Sequence, residues 1–384
     1  MREPASRREF LASSLAMQAV APKPPVPLRH RVLGKTGLKV TEVGCGCEAV
    51  SDASVLQRAL DLGINFFDTA RQYEGGNSER MLRGALGARR KDVILASRSY
   101  GKDARTLQRE LDDSLKVLGT DYLDIWYIGS KDTPESVSDD MLEVQRAAQK
   151  AGKIRFRGLS THRLPRMREF IIKRGRFDVI QVTYSFAIGA ARDPAVREDG
   201  AGLEAALDEL KKAGVGAVAM KVMGGGYGSR LGASVLRFLT GQPSPHVAAL
   251  RWALRNDRVQ TTSVRMVDRE QLEENIRAME RPFSEEDRKL LSAHLERIRP
   301  LLCRMCGACD GVCPKGLPVS ELVRCATYAD GYRAPEIGRE RFNRLPPVVR
   351  EVRCADCAAC AVRCPNGVRL RERVAWAQEL YARA

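Results

Sequence analysis

The sequence predicts an α/β protein: a (β/α)8 TIM barrel followed by a small, helical, cysteine-rich domain. Three observations carry that prediction. Between residues 30 and 282, short apolar strands and helical stretches alternate eight times, which is the length and rhythm of a (β/α)8 barrel. No G-x-G-x-x-G follows any early strand, which argues against a doubly wound sheet. Beyond residue 300, eight of the chain's 11 cysteines fall into two ladders of identical spacing.

The elements follow in order. Arg31–Val40 reads as a hairpin with Gly34 and Gly37 at its turns. Thr41–Gly46 is the first buried strand, and Ala53–Leu62 a helix that Gly63 stops. Ile64–Asp68 is a strand, Asn77–Leu86 a helix and Val93–Ser97 a strand. Ala104–Leu118 is amphipathic, with Leu107, Leu111, Leu115 and Leu118 near helical spacing. Strands Tyr122–Ile128, Ile154–Ser160, Val179–Thr183, Val215–Val222 and Val259–Val264 alternate with helices Pro134–Ala151, Leu164–Lys173, Leu203–Ala213, Pro245–Arg255 and Arg269–Ala278. Residues 283–300 form a charged connecting helix whose capped start is Ser284-Glu285-Glu286-Asp287. Residues 301–384 are the cysteine-rich domain, with a helix at Val319–Ala326. Cys45, Cys47 and Cys325 read as packed core thiols.

Residues 1–29 stand apart. Arg7-Arg8, a weakly apolar run to Ala21 and Ala19-Val20-Ala21 resemble a twin-arginine export signal, which predicts a periplasmic address. The other reading is a basic arm on a cytoplasmic protein. Four prolines in residues 22–29 mark a linker. The 384 residues are 44% hydrophobic, enough for a full core, and the formal charge is +16. The basic residues are spread along the chain without a dense aromatic-interleaved run, which argues against nucleic acid. No stretch approaches the roughly 18 apolar residues of a membrane span.

The ladders are Cys303, Cys306, Cys309 and Cys313 before Pro314, and Cys354, Cys357, Cys360 and Cys364 before Pro365. Both spell C-x2-C-x2-C-x3-C-P, the run of bacterial two-cluster ferredoxins, whose fourth cysteine ligates the other cluster. Cys303, Cys306, Cys309 and Cys364 are therefore expected to hold one [4Fe-4S] cluster, and Cys354, Cys357, Cys360 and Cys313 the other. Structural zinc needs only paired hooks, and disulfides inside such tight ladders have poor geometry. A ferredoxin-like domain in turn calls for a redox partner protein.

Within the barrel, Leu33-Gly34-Lys35-Thr36-Gly37-Leu38-Lys39-Val40, Asn65-Phe66-Phe67-Asp68-Thr69-Ala70 with Tyr73 and Gly76-Asn77-Ser78-Glu79, Gly158-Leu159-Ser160-Thr161-His162 and Gln271-Leu272-Glu273-Glu274-Asn275 together resemble the aldo/keto reductase family. The resemblance implies hydride transfer from NADP(H) to a small carbonyl substrate, or the reverse from an alcohol. A tyrosine acts as acid, helped by a cation, a carboxylate and a histidine. Tyr73 matches the acid and Asp68 the carboxylate. Arg98 stands where the family has lysine, and Gly129 where it has histidine; Ser130, Lys131 and His162 are the nearby substitutes. The resemblance places Ser160, Thr161 and Gln181 at the nicotinamide amide, Arg265 and Arg269 at the cofactor's phosphates, and Glu274 and Asn275 at its adenosine. Lys221, at the end of the seventh barrel strand, faces an anionic ligand or a solvated rim.

Two functions stay open on the sequence. One is an iron–sulfur oxidoreductase acting on a carbonyl or alcohol, with or without NADP(H). The other is a non-catalytic electron-transfer or binding subunit that keeps the barrel as scaffold.

Overall fold

The computed structural model describes residues 26–48, 50–189, 194–226 and 244–382. The export-signal reading at Arg7-Arg8 lies outside them. A short hairpin, β1 (His30–Val32) and β2 (Lys39–Thr41), precedes eight parallel strands. These are β3 (Val43–Gly46), β4 (Phe66–Asp68), β5 (Ile94–Ser99), β6 (Leu123–Ile128), β7 (Ile154–Thr161), β8 (Val179–Thr183), β9 (Gly216–Met220) and β10 (Thr261–Arg265). They close in sequence order, β10 pairing with β3.

The helices around them are α1 (Ala53–Asp61), α2 (Asn77–Leu86), α3 (Ala104–Leu118), α4 (Asp139–Lys150), α5 (Leu164–Glu169), α6 (Phe186–Gly189), α7 (Pro194–Lys212), α8 (Pro245–Leu254) and α9 (Arg269–Ile276). The predicted Pro134–Ala151 helix begins later, at Asp139, because Ser138 caps it by accepting from Met141 N. Leu164–Lys173 is helical only to Glu169 and then widens into a π turn, Phe170–Gly175. A side chain at 175 would meet the Phe177 ring at 2.2 Å, so glycine is required where that turn closes.

Two apolar layers follow from the strand period of two. Phe66, Ile94, Ala96, Ile125, Tyr127, Val179 and Val218 fill the barrel interior. The other face of each strand packs on the helices. The hairpin plugs the N-terminal end: Leu33, Leu38 and Val40 join the interior cluster, and Lys35 N donates to Gly214 O at 2.8 Å. Gly34, with φ +52°, sits so close to Gly216 that an added Cβ would lie 2.4 Å from its nitrogen. That end is sealed, which leaves the C-terminal ends of the strands for a ligand.

The connecting helix α10 (Glu285–Ile298) starts with a reciprocal capping box between Ser284 and Asp287. The cysteine-rich segment adds α11 (Val319–Asp330), α12 (Pro335–Asn343), α13 (Pro347–Glu351) and α14 (Leu370–Ala382) around a core of its own. Cys325 is buried in that core, and Cys45 and Cys47 are buried in the barrel's, as the packing reading expects. No helix among the described residues is long and apolar enough to cross a membrane.

Candidate active site

Alternation along the strands aims Asp68, Arg98 and Gln181 inward above the apolar layer, and there they lock together. Arg98 Nη2 donates to Asp68 Oδ1 and Arg98 Nη1 to Gln181 Oε1. Gln181 Nε2 donates to Asp68 Oδ2 at 2.7 Å, as does Ser263 Oγ at 2.6 Å. The third guanidinium nitrogen, Arg98 Nε, reaches Thr69 O at 3.3 Å. Both ions are about 3% exposed, so the pair satisfies charges that would otherwise be stranded in the interior.

Tyr73 lies beside this network, its ring centroid 5.8 Å from the Arg98 guanidinium carbon. The three expected catalytic side chains, Asp68, Tyr73 and Arg98, are thus brought together. The expected electrostatics are not. Burial pushes the Tyr73 phenol well above the usual tyrosine range; Arg98 acts in the lowering direction but does not offset it. Among the described residues its hydroxyl meets Tyr100 OH at 3.2 Å and no cation.

Tyr100 also explains the missing histidine. A Cβ on Gly129 would meet the Tyr100 ring at 2.8 Å and Ser99 O at 2.9 Å. A phenol therefore occupies the space beside Tyr73 that a side chain at 129 would need. The sequence holds no local signal of this, because Tyr100 lies just past β5 where the alternation ends. Of the substitutes considered, Ser130 and His162 line the cavity. Lys131 instead turns to Gly101 O at 3.0 Å. Asp132 grips His162 through its backbone N at 2.6 Å and through Nδ1 at 3.2 Å. Burial, reinforced by Arg324, takes the imidazole down to about 4, so it is neutral near pH 7.

The cavity above Arg98 and Tyr73 measures about 510 Å³ and is lined by Ser160, Gln181, Lys221, Arg265, Glu274 and Asn275 among others. Thr161 and Arg269 do not line it. Thr161 Oγ1 is turned to Asp132 at 3.0 Å, and Arg269 opens α9 on the exposed surface after its cap Asp268. Arg265 reaches the cavity wall, but its Nη1 donates to the Tyr332 carbonyl at 2.6 Å. The arginine expected at a cofactor phosphate therefore ties the barrel to the cysteine-rich segment.

That segment forms the roof, with Tyr328, Gly331, Tyr332, Arg333 and Arg341 facing the same cavity. Lys221 Nζ donates to Tyr328 OH at 3.0 Å and lies 5.4 Å from the Tyr332 ring centroid. The Arg341 guanidinium stands 5.0 Å from the Tyr328 ring. Burial works to raise the Tyr328 phenol, but Lys221, Arg341 and Arg324 outweigh it and Glu48, and the result is below the usual tyrosine value. Burial works against the Lys221 charge too, yet Tyr328, Tyr332 and Glu48 hold its pKa above a free lysine's. Lys221, the first residue past β9, has φ +59°, a left-handed backbone that a lysine adopts only where its surroundings impose it.

Behind this roof, a second cavity of about 40 Å³ is lined by Lys221, Tyr328, Tyr332, Arg324 and Cys303. The cysteines beyond it are interleaved. Cys303 interacts with Cys309 and Cys306, and Cys309 with Cys306 and Cys364. Cys354 interacts with Cys360, Cys357 and Cys313, and these four line one apolar cavity of about 60 Å³ with Leu317, Val319, Val362, Leu370 and Val374. Burial pushes Cys303 up to about 12 and Cys309 to about 11, and neighbouring thiols add to both. Met305 N and Asn366 Nδ2 donate to the sulfurs of Cys303 and Cys306. No three His, Cys, Asp or Glu side chains among the described residues converge closely enough to hold a single metal ion.

Known proteins share the barrel. The chain is 29% identical over 289 residues to L-galactose dehydrogenase of Arabidopsis thaliana, which covers 65% of this chain and 87% of that one. It is 24% identical to L-glyceraldehyde 3-phosphate reductase of Escherichia coli, covering 70% and 92%. The match to the uncharacterized oxidoreductase YqkF of Bacillus subtilis, 28% identical, spans 42% of this chain and 57% of that relative. Among solved structures, aldo-keto reductase AKR11C1 of Bacillus halodurans in its holo form superposes with a TM-score of 0.55 at 27% identity, covering 70% of this chain and 96% of that one. The family model described as "Aldo/keto reductase family" matches residues 43–234 and 236–296, ending before the first cysteine ladder. The chain belongs to the aldo/keto reductase family and is an oxidoreductase of that type.

Proposed function

We propose that this is an iron–sulfur oxidoreductase that interconverts a carbonyl and an alcohol in the barrel cavity, with two [4Fe-4S] clusters in the cysteine-rich segment. The observation that carries the reading is the interleaving: the fourth cysteine of each ladder lies with the first three of the other. Four thiols crowded into an apolar pocket raise one another's pKa, and cationic iron relieves that cost by replacing the protons. A four-iron cubane takes four thiolates, and each interleaved quartet supplies four. The donors to the Cys303 and Cys306 sulfurs are of the kind that tunes cluster potential.

The same cavity fits the nicotinamide end of NADP(H), which members of the family typically use. Ser160 and Gln181, which the resemblance places at the nicotinamide amide, line its wall. The phosphate end fits less well, because Arg265 is bonded to Tyr332 and Arg269 stands outside. When bound, the nicotinamide supplies or accepts hydride. The chain's own residues enclose the carbonyl, exclude water beneath the roof and hold the proton it needs. The relatives named for L-galactose and L-glyceraldehyde 3-phosphate point to a small hydroxylated aldehyde or its alcohol. The cluster half is tested by anaerobic purification followed by iron and labile sulfide assay, expected near eight of each per chain. Cys364→Ala should disturb the cluster of Cys303, Cys306 and Cys309 more than its own ladder's, seen in the electron paramagnetic resonance of the reduced protein. Stoichiometric zinc, with no labile sulfide, would end the reading.

A further inference from the structure

The family's acid occupies its expected place in Tyr73, yet the cation that should tune it is spent elsewhere. All the Arg98 bonds go to Asp68, Gln181 and the Thr69 carbonyl. A phenol bonded directly to a cation exists in the same cavity, 107 residues from its partner in sequence. We propose that Tyr328, from the cysteine-rich segment, is the proton donor and acceptor of the barrel cavity, with Lys221 as the positioning residue that tunes it. The inference rests on the carbonyl/alcohol reading above.

Four observations support it. Tyr328 is only 3% exposed, yet it lines the cavity that also holds Asp68, Tyr73 and Arg98. Its hydroxyl receives the Lys221 ammonium at 3.0 Å, the geometry that stabilises a phenolate. Arg341 adds a second cation on the ring. The left-handed backbone at Lys221 is the local cost of aiming that side chain at the roof. The charged and titratable groups facing Tyr328 are Lys221, Arg341 and Arg324 on the cationic side, with Glu48 and Tyr332 opposing. Cations predominate, so losing the proton is easier here than at Tyr73.

The step balances with a reduced nicotinamide as reductant. A hydride adds to the carbonyl carbon, the C=O π pair moves onto oxygen, and that oxygen takes the Tyr328 proton. The carbonyl is reduced, the nicotinamide is oxidised, and the tyrosinate left beside Lys221 regains a proton from water. In the oxidising direction Tyr328 must begin as the base, so its rate climbs with pH through the Tyr328 pKa.

The test uses the full-length holoprotein with 4-nitrobenzaldehyde and NADPH, and 4-nitrobenzyl alcohol with NADP for the reverse. Tyr328→Phe keeps the ring that packs 5.4 Å from Tyr332 and removes only the hydroxyl. It should lower kcat about 10²-fold or more with KM changed little, whereas Tyr73→Phe should lower it less than tenfold. Lys221→Met should move the rising limb of the alcohol-oxidation pH profile to higher pH, a shift that a merely structural lysine would not produce. Cluster absorbance confirms that each variant is folded. An active wild type with an unaffected Tyr328→Phe, or an unmoved limb in Lys221→Met, overturns the assignment alone. A wild type inert in both directions overturns the carbonyl reading and the assignment with it.

Discussion

Two phenols share one cavity and differ in what their neighbouring cation is doing. On the floor, Arg98 lies near Tyr73 but is consumed by a buried carboxylate and an amide, so burial controls the phenol and raises it. On the roof, Lys221 feels the Glu48 carboxylate but, among the described residues, its hydrogen bond goes directly to Tyr328. The comparison teaches that proximity of opposite charge is not enough to activate an acid; the charge must also be uncommitted. Arginine favours commitment, because its fork satisfies several acceptors at once, while lysine delivers a compact charge to one.

The floor should therefore behave as structure and the roof as chemistry. The largest effect separates them. Asp68→Ala leaves the Arg98 charge buried without its partner, which should cost about 3–5 kcal/mol of stability. Replacing both members, Asp68→Leu with Arg98→Met, should recover most of that loss, because burying a matched apolar pair is close to neutral. Lys221→Met on the roof should cost less, about 1–3 kcal/mol, the penalty for leaving the buried Tyr328 hydroxyl without its partner. Urea denaturation of the four proteins measures all three. A floor mutant as stable as wild type would remove the structural reading of the pair.

The next effect is set by pH. His162, held down to about 4 by burial and Arg324 against an ordinary 6.5, is neutral in the folded protein. The unfolded chain binds a proton that the folded chain refuses between those two values, so stability rises with pH across that window. The contribution is fully present above about pH 6.5 and is lost progressively as pH falls toward 4, amounting to about 3 kcal/mol. His162→Gln should flatten the stability curve between pH 4 and 6.5, as read from denaturation midpoints. Because Arg324 belongs to α11 of the roof, Arg324→Met should shift the His162 titration upward, and NMR of the ring protons follows it. A His162 titrating at its ordinary value in wild type would sever this link between roof and barrel.

Much of this was legible in the sequence. Helices Asn77–Leu86 and Ala104–Leu118 and strand Val179–Thr183 match their predicted bounds, because apolar spacing inside each element and a glycine or an acidic cap at its edge coincide. Asp68, Arg98 and Gln181 are singled out by the family resemblance, and the cysteine interleaving by the repeated spacing. What escaped was contact between elements. Tyr328 pairs with a lysine 107 residues away. Nothing local in α11 distinguishes it from the core residues beside it, although Lys221 at a strand end was a signal that something anionic faces it. Arg265 went to a carbonyl because Tyr332 sits over it, and periodicity carries no information about a neighbouring domain's backbone.

The smallest effect sharpens the comparison at the point where the floor departs from its family. Gly129 N donates to Ser99 O at 2.8 Å, and an added Cβ would stand 2.9 Å from that oxygen and 2.8 Å from Tyr100 Cδ1. The oxygen belongs to β5 and cannot retreat without bending the barrel wall. The ring can swing, but only by giving up its hydroxyl contact with Tyr73. Gly129→Ala should therefore destabilise by about 1–3 kcal/mol, the usual range for overpacking. Gly129→His should not restore a working histidine, since Tyr100 already fills that volume. If the ring carries part of the strain, Gly129→Ala should cost less in a Tyr100→Ala background, with a coupling of at least ~0.5 kcal/mol in the double-mutant cycle. Strict additivity would place the strain on the backbone oxygen alone, and Tyr100 would then be a bystander at the position where the family keeps its imidazole.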